Sequence, residues 1–239
     1  MNREEILKTS AASLGIELSE MQINQFIKYY EILVEWNSFM NLTGITEYQE
    51  VVRKHFADSL ALCKAVNVNE AESLIDIGTG AGFPGIPLKI VYPHIQITLL
   101  DSLQKRIKFL DEVIKQLELE KIETIHGRAE DFAKPSMKRE RYDICVSRAV
   151  ANLASLSEYC LPYVRIGGYF VPYKSGKAGE ELEEAKKAVF LLGGKIEEEV
   201  KFMLPDSDIS RSLIKIKKVS ATPKKYPRKS GMATKEPII

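Results

Sequence analysis

The sequence predicts an α/β fold in which a mostly parallel, doubly wound sheet carries an antiparallel hairpin at one edge and follows an N-terminal helical cap. From Ser73 onward, short runs rich in β-branched and aromatic residues alternate with amphipathic segments. This is the pattern of parallel βαβ units with right-handed crossovers. The residues before this point show only helical spacing. We therefore expect a helical cap over 1–70, an α/β domain over 71–220 and a basic, extended tail over 221–239.

Two capping signatures predict helices in the cap. "SEMQ" at Ser19–Gln22 places a hydroxyl three residues before a glutamine, and apolar residues follow at helical spacing. "TEYQ" at Thr46–Gln49 has the same form, so a further helix is expected to start there.

The strands are predicted from their β-rich runs. Those that alternate with helices are "SLIDI" (73–77), "IQITLL" (95–100), "KIETIH" (121–126), "YDICVS" (142–147) and "GGYFVPY" (167–173). The two remaining runs, "KIEEEVKFML" (195–204) and "SRSLIKIKKV" (210–219), follow a helix around Glu180–Leu192 and are separated only by "PDSDI". We expect these two to pair antiparallel at one edge of the sheet.

The overall composition is that of an ordinary globular protein. Of the 239 residues, 45% are apolar and 28% are charged, which argues against a disordered or fibrous chain. The stretch "MNREEILKTS" lacks the apolar core of a signal peptide, and no apolar run approaches the roughly 20 residues that span a bilayer. We expect a cytoplasmic protein. The three cysteines show no paired spacing, so neither a disulfide framework nor a metal site is expected.

Positive charge is concentrated at the end of the chain. From Arg211 to Ile239 there are nine Lys or Arg and one acid, a net charge of +8, whereas the whole chain carries +1 and residues 1–210 therefore −7. Such an arm is typical of contact with an anionic partner, although a solubilising, disordered terminus has the same composition.

The stretch "DIGTGAGFPGIP", residues 76–87, predicts a nucleoside-binding loop. Gly78, Gly80 and Gly82 follow the first strand and let the backbone turn sharply and approach a ligand closely. Read from Gly80, the same letters also give the dinucleotide fingerprint G-x-G-x-x-G. Asp101 closes the second strand, where a carboxylate can accept the ribose hydroxyls of either kind of cofactor. The glycines alone leave the cofactor open.

The residues on each side of the glycines favour S-adenosyl-L-methionine over NAD. Asp76, just before the first glycine, can face the amino group of a sulfonium amino acid, whereas it would repel a pyrophosphate. Pro84 and Pro87 fit only the first turn of a helix, and Phe83 before them offers an apolar wall.

A second cofactor contact is predicted after the third strand. In "HGRAEDF", residues 126–132, Ala129 and Glu130 open a helix whose free backbone N–H groups could bind the edge of an adenine. An acid in a first helical turn is also an ordinary partner of the helix dipole, so Glu130 alone does not decide the matter.

Five motifs taken in order resemble the glucose-inhibited division protein B family, the guanine-N7 methyltransferases of bacterial small-subunit ribosomal RNA. They are "WNSFMNLT" (36–43), "HFADSL" (55–60), "DIGTGAGFPGIPL" (76–88), "GRAE" (127–130) and "SRAV" (147–150), and the resemblance covers essentially the whole chain. It implies a Rossmann-like class I methyltransferase fold with S-adenosyl-L-methionine as the cofactor. It also implies 16S ribosomal RNA as the partner, within the small ribosomal subunit or an assembly intermediate. The tail "PRKSGMATKEPI" is similar to the family's ending but has Ala233 and Ile238 where proline and leucine are usual.

The resemblance also implies the residues of the cofactor site. Asp101 matches the ribose-binding acid. The positions that match contacts to S-adenosyl-L-methionine are Gly78, Phe83, Ala129, Glu130 and Arg148.

The residues after the fourth strand suit methylation of a ring nitrogen. "SRAV" stands where many methyltransferases of exocyclic amines carry an Asn/Asp-Pro-Pro-aromatic loop. Guanine N7 has an in-plane lone pair and no proton, so it needs no general base. We predict Arg148 as the catalytic residue, either anchoring the methionine end of the cofactor or donating to guanine O6. A structural ion pair is the alternative.

Several residues are candidates for contact with RNA. His55 could stack on or hydrogen-bond a base, although a lone histidine on an amphipathic helix is more often a packing residue. The cations that could reach phosphate, each of which could equally be a solvated surface charge, are Lys105, Lys174, Lys225 and Arg228.

Two other functions remain open at this point. The Gly80–Gly85 fingerprint motivates an NAD-dependent oxidoreductase of Rossmann fold, and the basic tail motivates a non-catalytic RNA-binding module.

Overall fold

The computed structural model describes residues 2–176 and 179–239. Its α-helices are α1 (Arg3–Ala12), α2 (Glu20–Met40), α3 (Tyr48–Val51), α4 (Asp58–Leu60), α5 (Gly85–Val91), α6 (Gln104–Gln116), α7 (Ala129–Phe132), α8 (Leu153–Cys160), α9 (Gly179–Leu191) and α10 (Met232–Lys235). A π-helix spans Val52–Ala57, and 3₁₀ turns span Ala61–Lys64, Val68–Glu70 and Leu161–Tyr163. In this part of the chain, no helix is long and apolar enough to cross a bilayer.

The described strands form one sheet of the predicted architecture. They are β1 (Ser73–Ile77), β2 (Gln96–Asp101), β3 (Ile122–His126), β4 (Tyr142–Arg148), β5 (Val164–Ser175), β6 (Gly194–Met203) and β7 (Ser210–Lys218). Their order is β3-β2-β1-β4-β5-β7-β6, with β1 to β5 parallel and β7 antiparallel to both of its neighbours. The order reverses between β1 and β4, the point at which doubly wound sheets bind ligands. The predicted fold class is confirmed.

Helices pack on both faces of the parallel part of the sheet, and successive residues of a strand point to opposite faces. In β1, Leu74 packs in a core that contains α2, α5 and α6, whereas Ile75 packs in a second core with α8 and α9. The cap therefore covers one face of the sheet. Gln22 ties it there through Nε2, which donates to the Ile90 carbonyl of α5 at 2.9 Å.

The two predicted capping signatures had different outcomes. The Ser19–Gln22 box is confirmed as the start of α2. The prediction that Thr46 caps the next helix is wrong. Glu47 is the N-cap instead, with its carboxylate accepting from the Glu50 amide at 2.8 Å, and the Thr46 carbonyl accepts from the Tyr30 hydroxyl.

Strand β5 is longer than predicted because it contains a bulge. Tyr142 pairs with Val164 but Ile144 pairs with Tyr169, so β5 has extra residues between these two points. Gly167 lies there with φ +89°. The glycine pair that indicated a strand boundary therefore lies inside the strand.

Candidate active site

The glycine loop between β1 and α5 folds back over the end of β1. The amides of Gly78 and Thr79 donate to the Leu100 carbonyl of β2 at 2.8 and 3.2 Å. Gly78 has φ +72°, and a Cβ added to it would lie 2.5 Å from Cγ2 of Val150. Glycine is needed there both for the backbone conformation and for the close approach to the segment that follows β4.

The side chain of Asp76, in β1, holds this loop through hydrogen bonds. Its side chain is fully buried, and Oδ2 accepts from the Thr79 hydroxyl at 2.7 Å and the Gly85 amide at 2.9 Å. Burial raises the pKa of this carboxyl from 3.8 to about 6, although both hydrogen bonds oppose the rise. The expectation that Asp76 faces a ligand's amino group is therefore corrected, because the loop closes over the carboxylate. Among residues 2–176 and 179–239, Oδ1 has no hydrogen-bonding partner.

Asp101 connects the glycine loop to the start of α6. Its Oδ2 accepts from the Gly80 amide at 2.9 Å and from Arg106 at 3.1 Å, and its Oδ1 accepts from the Leu103 amide at 2.9 Å. The side chain is 2% exposed. These contacts show Asp101 holding Gly80 in place, and its role as a ribose ligand stays a prediction.

A cavity of about 300 Å³, called here the first cavity, opens at the carboxyl ends of β1 and β2. Three predicted cofactor residues, Gly78, Ala129 and Glu130, line it. The rest of its lining is formed by Ile77, Leu100, Ser102, Gly127, Arg128, Val150, Ala151, Asn152, Tyr159 and Thr234. Apolar walls with a few polar groups at the switch point of a doubly wound sheet are typical of a nucleotide site.

A second cavity has a volume of about 570 Å³. The predicted residues Arg148, His55 and Lys174 line it, together with Ile45, Lys54, Asp58, Ala149, Tyr173, Ser175, Glu181 and Arg211. Consecutive residues of the segment after β4 line the two cavities: Arg148 and Ala149 line the second, and residues 150–152 line the first.

Arg148 is held by a buried acid that the sequence analysis did not single out. Its Nη1 donates to Asp58 Oδ2 at 2.7 Å, and Nε of Arg211 donates to the other oxygen, Oδ1, at 3.2 Å. Asp58 is 2% exposed, so these two guanidinium groups offset the cost of burying its carboxylate. Its only signal in the sequence is its place in "HFADSL". No local pattern connects Asp58 to Arg211, because the two residues lie 153 positions apart.

His55 lies in the π-helix and faces both Arg148 and the glycine loop. Its ring stacks on Phe83 with 4.5 Å between centroids, and Nε2 lies 2.9 Å from the Thr43 hydroxyl. Burial and, to a smaller extent, the Arg148 charge lower its pKa to about 4, so the ring is neutral at neutral pH. Phe83 is buried behind His55 with the Arg148 guanidinium 5.2 Å from its centroid, rather than lining the first cavity.

The predicted RNA-contacting cations fall into two groups. Lys105 and Lys225 are exposed, with Lys225 over the Tyr226 ring. Lys174 is bound to Glu181 at 2.7 Å, and Arg228 is bound to the buried Glu158. The charges of this second group are therefore already paired within the protein. In the described part of the chain, no cluster of three or more His, Cys, Asp or Glu side chains could hold a metal ion.

The fold and the cavity at the switch point define a protein with the Rossmann-like methyltransferase fold. An O-methyltransferase from Bacillus cereus, solved in complex with SAH, superposes with a TM-score of 0.58 over 80% of this chain and 91% of its own, at 16% identity. A SAM-dependent methyltransferase from Aquifex aeolicus superposes with a TM-score of 0.53 over 71% of this chain and 93% of its own, also at 16% identity. At this identity, the likeness establishes the fold alone.

Sequence comparison identifies the family. The GidB family model, described as rRNA small subunit methyltransferase G, matches residues 22–214. Two proteins named ribosomal RNA small subunit methyltransferase G are similar over nearly the whole chain. The one from Lachnoclostridium phytofermentans is 60% identical over 95% of this chain and 94% of its own. The one from Clostridium novyi is 52% identical over 98% of this chain and 97% of its own. The chain belongs to the GidB family. This confirms the resemblance and the predicted enzyme class, and it favours a methyltransferase over an oxidoreductase or a non-catalytic RNA-binding module.

Proposed function

We propose that this protein transfers the methyl group of S-adenosyl-L-methionine to N7 of a guanine in the 16S ribosomal RNA of the small subunit. The observation that carries the proposal is that consecutive residues of the segment after β4 line both cavities, Arg148 and Ala149 the second and residues 150–152 the first, which Gly78 of the glycine loop also lines. One cavity can hold the cofactor while the other receives the base, as transfer between two bound molecules requires.

The residues of the first cavity fit the nucleoside part of the cofactor. Its volume is suitable for a small ligand, and Gly78 and Val150, which pack closely against each other, both line it. Ala129 and Glu130 lie at the start of α7, where they would hold the adenine edge. When bound, the cofactor supplies an electrophilic methyl group on a positively charged sulfur.

The second cavity fits a purine that needs orientation rather than deprotonation. Because N7 of guanine carries no proton, its lone pair has only to be aligned with the methyl group while water is excluded. Arg148, fixed by Asp58, is the donor that would bind guanine O6 or anchor the methionine end of the cofactor. The neutral ring of His55 adds a flat surface beside it without adding charge.

The segments expected from the sequence would have different roles in the reaction. The cap over residues 1–70 would bring His55 and Asp58 to the base, and the α/β domain over 71–220 would hold the cofactor. The tail over 221–239 comes after the α/β domain in the chain. The exposed Lys105 and Lys225 would contact phosphates around the target. We propose the small subunit or an assembly intermediate as the substrate and, with it, a cytoplasmic location for the enzyme.

The test is to incubate the purified protein and labelled S-adenosyl-L-methionine with unmodified small subunits and with free 16S RNA, and then to digest the RNA to nucleosides. We expect label in 7-methylguanosine. Label only in another nucleoside or in protein would contradict the proposed target. Arg148→Lys should lower kcat/KM by roughly tenfold or more, because lysine lacks the planar donors of arginine. Arg165→Lys changes another Arg–Asp pair, away from both cavities, and is the matched control.

A further inference from the structure

The C-terminal segment, residues 222–239, packs against the α/β domain. Arg139 donates to the carbonyls of Thr222 and Tyr226 at 2.5 and 2.8 Å and so fixes the start of the segment. Tyr226 and Ala233 are buried. The end of this chain is therefore part of the folded protein despite its basic composition.

An ion pair anchors the middle of the segment on α8. Glu158 is 1% exposed, and Arg228 binds both of its oxygens, with Nε at 3.0 Å from each and Nη2 at 2.6 Å from Oε2. The Arg228 amide also donates to Oε1 at 2.7 Å. A buried carboxylate is costly unless it is paired and hydrogen-bonded, so this geometry assigns Arg228 to an internal contact rather than to phosphate.

Beyond this anchor, the segment reaches the first cavity. The Gly231 amide donates to Oε1 of Glu130 at 2.9 Å, which fixes a carboxylate that lines the cavity. The buried Ser155 hydroxyl donates to the Ala233 carbonyl at 2.7 Å. Thr234 itself lines the cavity beside Tyr159, and their hydroxyl oxygens are 2.7 Å apart.

We propose that the C-terminal segment is a structural part of the cofactor site: Thr234 supplies one of its walls, and Arg228 and Gly231 are positioning residues that hold this wall and the Glu130 carboxylate. The inference rests on the proposed function, because it takes the first cavity to be the cofactor site. It follows that docking of the segment and binding of the cofactor stabilise each other by the same factor.

Calorimetry with adenosylhomocysteine tests the inference on a shortened chain that ends at Lys229. This variant keeps Arg228 and its ion pair but loses the Gly231 amide and Thr234. We expect it to bind adenosylhomocysteine roughly tenfold or more weakly than the full chain. Lys229→Ala removes an exposed charge next to Arg228 and should bind within about twofold of the full chain.

Steady-state kinetics separates this role from RNA binding by the tail. The inference predicts that the shortened chain has a raised KM for S-adenosyl-L-methionine and an unchanged KM for RNA. A raised KM for RNA with wild-type affinity for adenosylhomocysteine would overturn it. If the full chain itself failed to bind adenosylhomocysteine, the proposed function would fall as well, and the two failures are thus distinguishable.

Limited trypsin digestion of the unaltered protein provides a test that does not depend on how the shortened chain folds. Saturating adenosylhomocysteine should slow cleavage after Lys229 and Lys235 roughly fivefold or more, because the ligand stabilises the docked segment. Cleavage after Lys8, in α1, is the internal control. Equal cleavage rates in the tail with and without the ligand would overturn the inference.

Discussion

Asp76→Asn tests the claim that the glycine loop closes over a fully buried carboxylate. Burial raises the pKa of Asp76 from 3.8 to about 6, so the folded protein binds this proton more tightly than the unfolded chain does. The stability linked to the protonated form is present below about pH 4 and is lost as the pH rises through about 6. Asparagine has no such titration but has nearly the same shape.

The size of the effect follows from the two pKa values. The difference of about 2 pH units corresponds to about 3 kcal/mol in full, of which about 2 kcal/mol falls between about pH 4.5 and about pH 7. Urea unfolding of both proteins across this range should therefore show the unfolding free energy of the wild type falling by about 2 kcal/mol relative to Asp76→Asn. At any single pH, the difference in unfolding free energy between the two proteins also contains the cost of placing an amide group at this position. The quantity to compare is therefore the change of that difference with pH.

Asp208→Asn, which removes an exposed carboxylate between β6 and β7, controls for the general loss of one negative charge. If the difference between the wild type and Asp76→Asn did not change with pH, or changed in the opposite direction, the assignment of Asp76 as a buried acid with a raised pKa would be refuted.

Three further predictions concern the two cavities. Arg148→Ala leaves Asp58 buried with one partner and should lower the unfolding free energy by about 3 kcal/mol or more in urea, and a loss under about 1 kcal/mol would argue against the pair. Because the pKa of His55 is lowered to about 4, its NMR titration should show no midpoint between about pH 6 and 8, and its contribution to stability should be lost as the pH falls from about 6.5 towards 4. Gly78→Ala should be less stable than Gly80→Ala, since both have positive φ but only the added Cβ of Gly78 meets Val150, and equal melting temperatures would contradict this packing.

The strands and the mostly parallel, doubly wound class of the sheet could be predicted because they depend on local signals. The parallel strands are β-rich runs that alternate with helices, so the runs and the right-handed crossovers between them can be predicted along the chain. The Ser19–Gln22 box was equally local, since both of its hydrogen bonds lie within one turn.

The failures arose where distant residues decide the local structure. Thr46 had the right spacing for an N-cap, but the Tyr30 hydroxyl from α2 binds its carbonyl and Glu47 takes the cap position. Gly167 indicates the start of a strand in the sequence but lies in a bulge, because a bulge and a turn both favour glycine at positive φ. The π-helix that carries His55 has the same apolar spacing as an α-helix over so short a stretch.

The candidate site was predictable in its glycine loop and not in its ion pairs. Gly78, Ala129 and Glu130 were identified by their positions at strand ends, and they line one cavity. The partners of Asp58 and Glu158 lie at least 70 positions away, and no periodicity connects residues across such distances. For this reason the sequence indicates an RNA contact for Arg228, whereas in the structure its guanidinium pairs with the buried Glu158.

The most direct test of the account is a crystal structure of the protein with adenosylhomocysteine. We predict that the adenine lies in the first cavity against Ala129 and Glu130, and that the sulfur lies at the segment after β4, facing the second cavity and Arg148. A ligand bound elsewhere, or bound with its sulfur turned away from the second cavity, would contradict the proposal that these two cavities bring the methyl group and the guanine together.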